Sequence, residues 1–196
     1  MKSVLEVIQS RRSVRRFTGE QISDAELESL IEAGRYAPSG GNSQTNHLIV
    51  IQKESVLAEI RSRVQAAFAQ MEVQEDTYAS IVNSIALSKR EGHEYAFFFN
   101  APTLIVLANK KGYANAMADC ACVLENMILA AASLGLGSCW INQLRWLDGN
   151  PEINAYMQSL GLAGDETICG AVALGYPAVA PAPPAPRKGN PVTYVR

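Results

Sequence analysis

Residues 103–141 read TLIVLANKKGYANAMADCACVLENMILAAASLGLGSCWI, and this stretch decides the fold class. Its first part, residues 103–109, has the length and apolar continuity of a buried strand. Residues 116–134 follow as a long helix, interrupted by charge only at Asp119 and Glu125. A helix apolar nearly all round is either buried on every side or spans a membrane. The two carboxylates lie too far inside it, and the uninterrupted apolar run falls short of the ~18 residues that a span needs. Burial is the reading, and burying such a helix in a chain of this size implies help from a second subunit. Residues 138–141 then read as another strand, so strand, helix and strand alternate around a central sheet.

Working outward, Ser3 with Glu6 and Ser23 with Glu26 match the capping box, in which hydroxyl and carboxylate satisfy free N–H groups at a helix start. The first opens a helix to about Ser10; the second opens one with Leu27, Leu30, Ile31 and Gly34 on one face. Residues 37–45 are a loop by turn chemistry, and residues 47–52 a buried strand. Val56, Ile60, Val64 and Phe68, spaced by four, define a third helix, and residues 78–90 another. Tyr95, Phe97, Phe98 and Phe99 form an aromatic cluster that suits either a substrate roof or the core. Asn150 as N-cap with Pro151 at the first helical position opens a helix to about Leu160. Residues 167–174 are a strand, residues 178–186 a stiff extended Ala/Pro run, and residues 191–195 a terminal strand. No repeat or break in composition divides the chain, so residues 1–196 are one domain.

Composition narrows the function. The 196 residues are 48% hydrophobic, and 17 Lys+Arg stand against 19 Asp+Glu, a net charge of −2. This near-neutral balance excludes a general nucleic-acid binder. Any anionic ligand must be held by a few local arginines. Four cysteines and two histidines lie at no zinc-ligand spacing, so no metal site is expected. Residues 1–12 lack a secretory apolar stretch, which gives a cytoplasmic protein with reduced thiols as the expectation.

Two polar motifs carry the chemistry. RRSVRR at 11–16 puts four guanidinium groups and a hydroxyl at the end of the first helix. Arginine forks match phosphate oxygens, although the same residues would also suit a solvated helix end. Arg16 reads as facing away from Arg11 across the turn. In the loop, Gly40 and Gly41 let the backbone approach a planar ligand, and Asn42 and Gln44 offer both donors and acceptors. GLGSCW at 135–140 is no dinucleotide fingerprint, because it leaves a helix and enters a strand, the reverse of the required order.

Taken together, RRSVR at 11–15, APSGGNSQ at 37–44, NMILAA at 126–131, LGLGSCWI at 134–141, Gly175-Tyr176-Pro177 and Arg187-Lys188 resemble the nitroreductase family in residue order. The resemblance runs from about residue 4 to 195. It implies an α+β fold of the α/β three-layer sandwich type, with a central mixed, mostly antiparallel sheet, in an intertwined homodimer. It also implies an FMN enzyme that takes hydride from NADH or NADPH and reduces a nitroaromatic, quinone or similar acceptor by a ping-pong mechanism. Enone reduction, dehalogenation and a poorly active flavin carrier remain as alternatives. On this resemblance Arg11, Ser13 and Arg15, with Arg12 close by, hold the FMN phosphate and ribityl chain, and Arg187 and Lys188 complete the phosphate site. Asn42 reaches the flavin ring edge or ribityl hydroxyls, with Gln44 in the same loop. Pro38, Ser39 and Gly40 cover the flavin from the partner subunit. Trp140, Ile141, Asn142 and Gln143 line a ring face, with a backbone N–H near Asn142 or Gln143 directed at the flavin N5. That atom carries the chemistry, and no catalytic side chain is expected. Residues 72–99 are the variable roof and residues 178–196 a C-terminal extension. Thr45 and Asn46 stand where relatives often have Pro-Trp, and Asn142 where some have Glu.

Overall fold

The computed structural model describes residues 3–196. Four strands, β1 (His47–Ile51), β2 (Thr103–Lys110), β3 (Gly137–Ile141) and β4 (Glu166–Gly175), form one sheet in the order β1-β2-β4-β3. All three strand pairs are antiparallel; the parallel element found is an isolated bridge between Ser13 and Ser138. β2 and β4 sit in the middle and are buried on both faces, which is why they read as continuous apolar runs.

Side chains of β2 alternate between two cores. Leu104, Val106 and Ala108 join Ile60, Val64, Phe68, Phe97 and Phe98 on one face. Ile105 and Leu107 join Leu30, Val123, Leu124 and Met127 on the other. A bulge in the pairing with β4 at Leu107 and Ala108 shifts that register by one residue. Helices therefore cover both faces in three layers. α2 (Asp24–Arg35) and α5 (Ala116–Ser133) pack on the second core; α3 (Glu54–Gln70), α4 (Ala79–Ser88) and α7 (Pro151–Ser159) lie on the first side.

The helix starts follow the sequence. Both capping boxes form, at Ser3 with Glu6 before α1 (Val4–Ser10) and at Ser23 with Glu26 before α2. Asn150 caps α7 by accepting from the N–H groups of Glu152 and Ile153. α2 crosses close over α5 at Gly34, where an added Cβ would lie 3.1 Å from Val123 Cγ1. A four-residue helix, α6 (Gln143–Trp146), has no counterpart among the sequence expectations.

Two segments stay open in the single chain. α5 keeps one side uncovered, in line with a helix that one subunit does not bury alone. Ala116, Asp119, Cys120, Val123, Leu124, Met127, Ile128 and Ala131 face inward, while Met117, Cys122 and Glu125 do not. By length and composition alone this helix could cross a membrane, but 44% of it is buried inside the fold. Among the described residues, 191–195 pair with no strand, since by residue 178 the backbone has left the sheet; Val192, Tyr194 and Val195 stand exposed.

Glu166, at the start of β4, is buried and accepts from His47 Nδ1 at 2.8 Å and from the Ala163 N–H at 2.9 Å. Burial raises its pKa, but the His47 and Ala163 hydrogen bonds outweigh burial and leave it below its ordinary 4.5. A depressed carboxylate contributes stability that is present above the unfolded value and lost as pH falls through the folded one. Glu166→Gln should therefore cost about 1–3 kcal/mol at neutral pH. Its melting temperature should also fall less steeply than the wild type's below pH 4.5, as calorimetry would show.

Candidate functional site

The arginine motif is built against the edge of β3. α1 ends at Arg11, where the chain turns extended, and the Val14 N–H donates to the Ser138 carbonyl at 2.8 Å. Gly137 permits this approach: a Cβ there would lie 2.8 Å from Val14 Cγ1. Val14 is buried inward, so Ser13 and Arg15 project outward. A bridge between Phe17 and Pro177, and a 3.0 Å bond from the Ala178 N–H to the Arg16 carbonyl, bring the C-terminal segment alongside.

A cavity of about 470 Å³ results, lined by residues 11–16, residues 179–182 and Arg187. Among the described residues, none of its five arginines forms an ion pair. Arg12 turns back on α1: its guanidinium donates to the Gln9 carbonyl at 2.8 Å and to the Arg11 carbonyl. Its Nε is buried without a hydrogen-bond partner, an orphan donor that an anion would satisfy. Arg16 lines the same cavity as Arg11 and does not face away from it. Lys188, next to Arg187, is exposed.

Arg15 also borders a second cavity, of about 430 Å³. Its floor is the end of β3, Cys139, Trp140 and Ile141, followed by Asn142 and Gln143. Ser80, Asn83 and Ser84 of α4 form the opposite wall. Phe97, Phe99 and Trp146 supply aromatic sides, and the Arg15 guanidinium lies 5.8 Å from the centre of the Phe99 ring. Phe98 points into the core, so the aromatic cluster divides between both of its expected roles. The Trp140 indole N–H donates to Asn142 Oδ1 at 2.9 Å, and the Asn142 N–H donates to Gln143 Oε1 at 3.2 Å. Gln143 Nε2 in turn donates to the Tyr95 hydroxyl, which donates to Ser84 Oγ at 2.7 Å. Burial pushes the Cys139 thiol pKa up against the opposing pull of Arg15, Ser13 and Arg11. The thiol, in the lining of this second cavity, stays protonated at neutral pH.

The glycine loop is elsewhere. Ser39 and Gln44 line a third cavity, of about 510 Å³, with His47, Leu48, Arg35 and Val123. Gly40 rests on Asp119 and Tyr113 at the start of α5, whereas Arg11 and Arg12 border a hollow with Ala132 and Gly135 at its end. Thirteen residues of helix separate Asp119 from Ala132, about 20 Å at 1.5 Å per residue. One chain thus joins Arg11, Arg12, Ser13, Arg15 and Arg187, and joins Arg15 to residues 140–143. It keeps Pro38, Ser39, Gly40, Asn42 and Gln44 apart from both. Asn42 shares one tight turn, Gly40–Asn42, with Gly40, so both belong to the same side of any joint site. Sequence reasoning missed Asp119 and Tyr113; the signal was a carboxylate inside an otherwise apolar helix.

Comparison with known proteins bears on this arrangement. The nitroreductase family model matches residues 8–176. A nitroreductase from Bacteroides fragilis, solved with bound FMN, is 38% identical and covers 100% of both chains with a TM-score of 0.88. An FMN-bound nitroreductase from Desulfitobacterium hafniense is 28% identical, also over 100% of both chains, with a TM-score of 0.81. A protein of Archaeoglobus fulgidus, provisionally named an NADH dehydrogenase/NAD(P)H nitroreductase, is 29% identical over 90% of this chain and 87% of its own.

Proposed function

The chain belongs to the nitroreductase family, and from that premise we propose that it is an FMN-dependent oxidoreductase. It takes reducing equivalents from NADH or NADPH and delivers them to a nitroaromatic, quinone or similar acceptor by a ping-pong mechanism. The carrying observation is the cavity where Arg11, Arg12, Ser13, Arg15 and Arg187 converge without a carboxylate, with the Arg12 Nε left orphaned. That donor set fits a phosphate monoester. Bound FMN supplies hydride transfer between a nicotinamide and an acceptor.

The protein's part is to hold and to shape. Arg11, Ser13 and Arg187 grip the phosphate, with Arg12 and Lys188 adding positive charge. Arg15, common to both cavities, spans from the phosphate end to the ring end. Trp140, Ile141, Asn142 and Gln143 line the ring, and Phe97, Phe99 and Trp146 keep water from its exposed side. Pro38, Ser39, Gly40, Asn42 and Gln44 are contributed by a second copy. Antiparallel pairing of two α5 helices along their open faces places the start of one beside the end of the other. The homodimer is therefore what completes the site. No side chain need act as acid or base.

Titration of the purified protein with FMN and with FAD tests the cofactor: a yellow protein preferring FMN is expected, and one that stays colourless in excess FMN refutes the reading. Steady-state rates at several NADH or NADPH and acceptor concentrations should give parallel double-reciprocal lines. Intersecting lines would mean that donor and acceptor bind together.

A further inference from the structure

The turn at 39–44 is held in a conformation its sequence resists. Gly41, Asn42 and Gln44 have φ of 59°, 55° and 51°. Glycine accepts this left-handed region freely; asparagine does so at some cost, and glutamine at more. Backbone of this kind persists where its surroundings over-determine it. The side chains of Asn42 and Gln44 gain nothing from it within the chain, since they are exposed and, among the described residues, make no hydrogen bond.

What holds the turn is a buried carboxylate. Asp119, only 5% exposed, accepts from the Gly40 N–H with both oxygens, at 3.1 and 3.2 Å. It also accepts from Ser43 Oγ at 3.4 Å and from the Tyr113 hydroxyl at 2.9 Å. Among the described residues no cation pairs with it. Its charge is balanced by these neutral donors and by its place in the first turn of α5. Gly40 lies so close that a Cβ would collide with the Asn115 amide and come within 2.7 Å of the Tyr113 hydroxyl. Ser39 Oγ accepts the Gln44 N–H at 3.1 Å and closes the far side of the turn.

We infer that Asp119, with Tyr113, is a positioning residue: it contributes no atom to the flavin site but locks the turn so that Asn42 and Gln44 are presented, ready formed, to the flavin of the partner subunit. This rests on the FMN reading above. When only a fraction of the protein holds the competent turn, the apparent dissociation constant rises by the inverse of that fraction. Asp119→Ala removes the carboxylate's bonds to Gly40, Ser43 and Tyr113 together, leaving only the Tyr113 and Ser39 hydroxyls on the turn, and should raise the FMN dissociation constant roughly ten- to a hundredfold. The loss should fall on the association rate, with kcat at saturating FMN little changed. Asp119→Asn, which keeps one acceptor oxygen for the Gly40 N–H, should recover a large part of it. Tyr113→Phe removes a single hydroxyl and should cost roughly two- to tenfold.

The experiment measures FMN affinity and association rate for wild type and the three variants by flavin fluorescence. Hydrogen exchange at Gly40 and Asn42, and melting temperature, are read on the same apoproteins. Faster exchange confined to the turn together with weaker FMN binding supports the inference. Should Asp119→Ala fail to fold, Tyr113→Phe decides by the same readouts. Wild type that binds FMN, beside Asp119→Ala or a deciding Tyr113→Phe that binds it equally fast and tightly, overturns this inference alone. Wild type that takes up no FMN overturns the cofactor reading, and this inference with it.

Discussion

Replacing Arg11 and Arg187 together by alanine should weaken FMN binding at least about a hundredfold. Each guanidinium would make a charge-assisted hydrogen bond to phosphate worth roughly 1.5–3 kcal/mol, and about 1.4 kcal/mol is tenfold in affinity. The two line one cavity, so their effects need not add, which sets the bound at the low end of the sum. The fold should survive, because Arg187 is exposed, Arg11 is only half-buried, and neither forms an ion pair among the described residues. Salt provides a second readout: wild-type affinity should fall as ionic strength rises, and the double variant should respond less. Arg16, lining the same cavity, is unsuitable as a control. Arg63, paired with Glu59 at 2.7 Å on α3, is a better one. Affinity unchanged within twofold by equilibrium titration would return the cluster to a solvated helix end.

Local chemistry made much of this fold legible. Capping boxes specify where α1 and α2 begin because hydroxyl and carboxylate act within three residues of each other. The buried strands β2 and β4 announce themselves by apolar continuity. Strand order was not readable, since it depends on pairings such as that of Leu104 on β2 with Ala173 on β4, 69 residues away. α6 escaped because four residues carry no period. In the site, both motifs were visible as residue types, but their separation within one chain entered only through the family resemblance. Arg11 and Gly40 are 29 positions apart in sequence, yet they lie toward opposite ends of α5. Asp119 was seen only as a charge unfit for a membrane; its hydrogen bond to Gly40 spans 79 residues and leaves no local pattern.

Deleting residues 178–196 should both release FMN and break the proposed homodimer. Within one chain the segment has little reason to stay ordered. Its anchors are the Ala178 N–H on Arg16 and the contact of residues 179–182 and Arg187 with the arginine cavity, and every residue from 179 onward is exposed. Val192, Tyr194 and Val195 are 69%, 72% and 95% exposed, an apolar group that one chain leaves in water. Residues 178–186, at about 3.1 Å per residue in extended form, reach roughly 28 Å. That exceeds the ~20 Å of α5 between the loop and the arginine cluster, so the arm is long enough to cross to a partner packed along α5. Truncation removes Arg187 from the arginine cavity and, in the proposed homodimer, uncovers the partner surface that the arm would shield. Sedimentation and FMN titration of the truncated chain should show dissociation or aggregation together with weakened binding. The double arginine variant separates the two effects, since it should lose FMN affinity while remaining a dimer. A truncated chain that stays dimeric and binds FMN fully would refute the arm, and the open face of α5 would then have to account for the dimer alone.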